Sequence, residues 1–226
     1  MGVNNFIDGI LVKFSDKYFQ LNDDVKHQLV YKKYFYGSND SLGYYEPDLT
    51  DYLLDNMARA GKFSKSEPKV KKYFEYWYNS DNELIKIKYI NRLDLQSCYD
   101  VIVYIIQNVK LFLFYGYDIN GDIKLGNIYK LEYDSDKKLI SIEKYIRDLI
   151  LNTCDILEYK YMYAEKNLLS ADINNKYQTW HFDFIYSSDN NLCSYNLDDG
   201  RHKYSVTIKE NVIKKFEEFG LFHFSP

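Results

Sequence analysis

The sequence predicts an α+β fold: N-terminal helices, then a mainly antiparallel, tyrosine-rich sheet of hairpins built from a duplicated unit, then a C-terminal helix. Three observations carry this. Period-2 alternation of large apolar residues runs through most of the chain after Lys72. Apolar residues at helical spacing occupy both ends. A turn motif, Tyr-x-Ser-Asp/Asn-x-x-Leu, recurs at Tyr36, Tyr78, Tyr133 and Tyr186, ending at Leu42, Leu84, Leu139 and Leu192.

Residues 1–73 read as mainly helical. Asn5 is placed to cap a helix over Phe6 to Phe19, in which Ile7, Ile10, Leu11 and Phe14 share a face. A second helix is expected from Asp48 to Ala60, opened by Pro47 and closed by Gly61. Leu29 to Tyr36 alternates weakly and fits either state.

Residues 74–226 read as the sheet region. Phe74, Tyr76 and Tyr78 share one strand face, as do Tyr129, Leu131 and Tyr133, then Leu157 to Tyr163, then Trp180 to Tyr186, then Tyr204 to Ile208. The opposite faces carry Lys130, Glu132, Glu158, Lys160, His181 and Asp183, so one side of the sheet is expected to be wet. Val109 to Tyr115 is apolar on both faces and reads as a central, doubly covered strand. Turns are marked by Asn120-Gly121, Asp199-Gly200 and the motif itself, where an Asp or Asn side chain can bond a downstream amide. Glu210 to Phe219 is expected to be a helix ended by Gly220.

The repeat extends beyond its turn. With one gap, Lys88-Tyr89-Ile90 aligns with Lys144-Tyr145-Ile146, Cys98 with Cys154, and Asp118-Ile119-Asn120 with Asp172-Ile173-Asn174. Units 74–128 and 129–181, with a partial third at 182–226, follow from this alignment. Residues 88–98 and 144–154 fit helix or strand equally. Tyr133-Asp134 with Leu139 resembles the YD-type hairpins of bacterial surface and toxin proteins. Those carry Gly in the turn where this chain has Asp136-Lys137-Lys138, and the likeness spans a few residues per copy.

Composition narrows function more than motifs do. The net charge of −4 and one short basic run, Lys62 to Lys72, make nucleic acid an unexpected partner. Cys98, Cys154 and Cys193 are sparse and odd in number, which fits a reducing, cytoplasmic setting, and the repeat equivalence of the first two suggests small buried sites. No apolar stretch is long enough to span a membrane as a helix. Gly116 and Gly121 have Walker spacing, but Asp122 follows where Lys is required, and no cofactor or metal is expected.

His181 and Asp183 on one strand face, with His202 on the adjoining hairpin, are the catalytic candidates. Asp134, Asp136, Asp198 and Asp199 are candidate binding residues, as are Tyr44 and Tyr45 in a Gly/Ser/Asp-rich loop. The 25 tyrosines exceed what one sheet face hides, so an aromatic binding surface is expected. The predicted function is a non-enzymatic protein-binding module of a low-GC bacterium, most concretely an immunity-type inhibitor of a basic toxin. The alternative is a hydrolase or metal-dependent enzyme using the His181, Asp183, His202 region.

Overall fold

The computed structural model describes residues 3–37, 61–148, 153–165, 167–189 and 191–209. Two short helices, α1 (Val3–Phe14) and α2 (Tyr18–Gln28), precede one antiparallel sheet of thirteen strands. The strands are β1 (Tyr31–Tyr36), β2 (Lys62–Ser64), β3 (Lys72–Tyr78), β4 (Leu84–Asn91), β5 (Tyr99–Ile106), β6 (Val109–Tyr117) and β7 (Ile123–Tyr133). The remainder are β8 (Leu139–Asp148), β9 (Thr153–Ala164), β10 (Asn167–Asn174), β11 (Thr179–Tyr186), β12 (Leu192–Asp198) and β13 (Lys203–Thr207). From β3 to β13 each strand pairs with the next; β1 lies beside β3, and β2 lies outside β1. The expected antiparallel, tyrosine-rich sheet is therefore present, and α-helix is confined to short N-terminal segments among the described residues. The expected helices at 48–60 and 210–219 lie outside the described residues.

The two faces differ. On the aromatic face, Phe74, Tyr76, Phe112, Tyr129, Tyr159, Phe182 and Tyr195 belong to one buried cluster that runs from Phe35 to Ile208. Rings pack across consecutive strands: Tyr89 stacks on Tyr99 at 5.0 Å, while Phe74 meets Tyr89 at 5.0 Å and Phe114 meets Tyr129 at 4.6 Å with tilted planes. Such cross-strand pairs add to the burial of the rings themselves. The other face has its buried apolar cluster beneath the helices. Ile10 and Phe14 of α1 and Val25 of α2 pack there on Ile102, Leu111, Leu113 and Ile128. β6 thus has Phe112 and Phe114 on one side and Leu111, Leu113 and Tyr115 on the other, the doubly covered strand its sequence implies.

Several sequence expectations are corrected here. The first helix stops at Phe14, and a second runs from Tyr18, whose apolar and polar contacts (Tyr18, Leu21, Asn22, Val25) follow an i, i+3, i+4, i+7 stripe. Residues 88–91 and 144–148 are strand, and Leu95–Ser97 is a single 3₁₀ turn. The one-gap alignment of the repeats does not hold in space. Tyr89 joins the aromatic face, whereas Tyr145 packs with the helix-side cluster. A one-residue slip exchanges faces, and aligning Leu84 with Leu139 places Lys144, not Tyr145, opposite Tyr89. Likewise Ile119 is 75% exposed in a turn, while Ile173 is buried within β10. Cys98 is half-buried and Cys154 is exposed, so neither is a small buried site.

Candidate functional site

Among the described residues the turn motif builds three similar hairpins; the turn of the copy at Tyr36 to Leu42 lies outside them. Asn79 Oδ1 accepts hydrogen bonds from the amides of Asp81 (3.0 Å) and Glu83 (2.9 Å). Asp134 Oδ1 accepts from Asp136 (2.9 Å) and Lys138 (2.8 Å) in the same way. In the third copy, Ser187 Oγ accepts from the Asn191 amide at 3.3 Å. The residue that ties the turn is therefore the one directly after the tyrosine, and the Ser-Asp pair rides at its tip. Past each tyrosine the register slips by one: Trp77 faces Lys86 but Tyr78 faces Leu84, with the same slip at Tyr133 and Tyr186. Asn82 and Lys137 hold left-handed backbone, φ 61° and 64°, at the fourth position after the tyrosine. The β6–β7 turn repeats this chemistry: Asp118 Oδ1 accepts from Asn120 and Asp122, and Gly121 has φ 82°.

Because the strands alternate in direction, the three motif turns stand at one end of the sheet, separated by the two-residue turns after Ile106 and Ala164. A cleft of about 290 Å³ opens at this end between the first two motif hairpins. Tyr78 and Leu84 form one wall, Leu131 and Tyr133 the other, with Val103 and Phe112 beneath. Burial pushes the Tyr133 hydroxyl up to about 12. Asn82, Glu83, Ile105 and Lys110 frame the mouth, with the Lys110 ammonium 5.1 Å from the Tyr133 ring centre. Ile105 and Ile106 are 40% and 43% exposed beside it. The turns at this end expose Asp81, Glu83, Asp136, Glu165 and Asp189.

The predicted His181 and Asp183 lie on the wet face of β11. His181 Nδ1 is 2.6 Å from Asp172 Oδ1, and its Nε2 is 3.1 Å from Asp183 Oδ1. The hydrogen bond to Asp172 is the largest cause of a raised His181 pKa, with a further contribution from Asp183. His202 is not in this group; it stands in the β12–β13 turn, 3.7 Å from Asp199. Asp199 ties that turn, accepting from the Tyr204 hydroxyl and from the His202 and Arg201 amides, which in that order hold its carboxyl well below the usual range. Asp198 pairs with Lys203 at 2.9 Å. Among the described residues no group of three His, Cys, Asp or Glu side chains is arranged to hold a metal ion. Tyr44 and Tyr45 lie outside the described residues. In the basic run, Glu67 meets both Tyr73 and Arg92, at 2.5 and 2.6 Å.

A further cluster is not signalled by any motif. Beneath α2, the buried Lys86 ammonium lies 2.6 Å from Asp100 Oδ2 and 2.7 Å from Asn22 Oδ1. The Tyr18 hydroxyl donates to the same Asp100 oxygen at 2.5 Å. Desolvation pulls the Lys86 pKa down against the pull of Asp100, and burial drives the Tyr18 hydroxyl far up. Beside it, Glu75 accepts from Trp77 Nε1 (3.0 Å) and Lys32 (3.2 Å). The sequence signal for this cluster is a charge inside an otherwise apolar strand: Lys86 within Leu-Ile-Lys-Ile, and Asp100 within Tyr-Asp-Val-Ile-Val.

No protein-family model and no curated protein sequence matches this chain. No described helix is long and apolar enough to cross a membrane.

Proposed function

We propose that the chain is a non-enzymatic protein-binding module, and that the end of the sheet carrying the motif turns is its contact surface. The observation that carries this reading is the pairing of an apolar, tyrosine-walled cleft with exposed carboxylates on the turns around it. An apolar pocket with a polar rim is how hot-spot anchors are received at protein interfaces. The surplus of carboxylates at this end favours a basic partner and would steer its approach. An immunity-type inhibitor of a basic toxin is the most concrete form of the proposal.

Co-expression with the products of the adjacent genes, followed by purification, tests it. The expected result is a complex whose association rate falls with salt and falls again in the Glu83→Lys/Asp136→Lys variant. The absence of a complex with either neighbour, or one indifferent to both salt and charge reversal, contradicts it.

A further inference from the structure

We infer that the opposite end of the sheet binds a small amphipathic carboxylate through Lys88. Two clefts of about 420 and 100 Å³ open there and share Lys88, Cys98 and Tyr117 in their linings. The larger adds Ile90 and Leu95, and the smaller reaches Tyr18 at the start of α2. The larger lies within the size range of small-molecule sites.

Charge selects the ligand. The register places Lys88 directly between Glu75 on β3 and Asp100 on β5. Both of those carboxylates are already engaged, Glu75 by Lys32 and Trp77, Asp100 by Lys86 and Tyr18. Lys32, Lys86 and Lys88 thus face two acids, and half-buried Lys88 makes no ion pair with any described residue. The carboxylates of the nearby loops form no ion pair with Lys88 and have other partners. Asp94 accepts from the Gln96 amide, Asp118 ties its turn, and Asp122 lies 3.8 Å from Lys124. A half-buried lysine with no ion-pair partner among the described residues offers its ammonium to an anion. The rest of the surface asks for hydrocarbon: Leu95, in the lining, is 73% exposed, and Leu93 and Ile119, in the β4–β5 and β6–β7 connections at the same end, are 65% and 75% exposed. A chain ending in a carboxylate satisfies both demands, its head on Lys88 and its tail over Leu95.

Titration of the full chain with octanoate, and with octanol as the uncharged control, tests this by calorimetry. Octanoate is expected to bind the wild type and to bind Lys88→Met about tenfold or more weakly, the loss typical of one charge-assisted contact. Octanol is expected to bind both proteins alike. No octanoate binding, or equal binding by Lys88→Met, overturns the assignment. Because Lys88→Met could disturb folding, the Lys88 side-chain NMR resonances of the wild type give a second reading. Octanoate must shift them, and resonances that stay in place overturn the assignment equally. This site is separate from the protein-binding end and does not rest on it.

Discussion

Lys137 sits at φ 64°, in the left-handed region where a side chain costs free energy and glycine does not. Lys137→Gly is therefore expected to raise stability by roughly 0.5–1 kcal/mol. Asp134→Ala removes two side-chain bonds to turn amides and should lower it by about 1–2 kcal/mol. Urea denaturation of both variants checks the pair; equal effects would mean that the turn is not strained at Lys137. The sequence made the motif visible but not the role of each position, because Ser-Asp at the tip is the more regular part of the pattern and Asn, Asp or Ser at the tying position is not. His181 offers a pH test. Its folded pKa is raised, chiefly by Asp172, so the stability it contributes is complete below about 6.5 and is lost as pH rises through the folded value. NMR titration should give His181 a midpoint above 6.5 that falls in Asp172→Asn. A midpoint unmoved by that substitution would remove the interaction from the account.

The elements that were hardest to read are those whose partners are remote in sequence. α2 is polar over much of its length, and Tyr18, Leu21, Asn22 and Val25 seat it on the sheet. Its polar anchors, Asp100 and Lys86, are 82 and 64 residues away from Tyr18 and Asn22, so no local pattern could reveal them. The buried Lys86–Asp100 pair should behave as such pairs do: removing one partner strands the other. Asp100→Ala is expected to cost about 3–5 kcal/mol, and Lys86→Met/Asp100→Leu less than that single change. A double variant less stable than Asp100→Ala would show that the charges are net stabilising here. The strands were legible because alternation is a local signal. The ambiguity at 88–98 and 144–154 arose because the apolar residues there are spaced for either period, and hydrogen bonds to neighbouring strands decide the matter.

For the whole molecule, the motif hairpin recurs every four strands among the described residues. β3–β6 and β7–β10 each open with a motif hairpin and include a two-residue turn whose first residue, Gln107 or Glu165, has positive φ; β11–β13 begin a third unit. The recurring hairpins were readable from the turns, but matching tripeptides misled about faces, since chance identity ignores the two-residue period of a strand. The proposed binding end exists only because successive motif turns stand side by side at one edge of a single sheet. Spin labels at Asp81, Asp136 and Asp189, in a chain with Cys98, Cys154 and Cys193 replaced, measure that arrangement by pulsed electron resonance. Four strands at about 4.8 Å each predict mean separations of about 20 Å for both the 81–136 and the 136–189 pair, with 81–189 the longest of the three. Unequal spacings, or either short pair beyond about 35 Å, would put the turns at different ends of the strands and contradict the arrangement on which the binding surface depends.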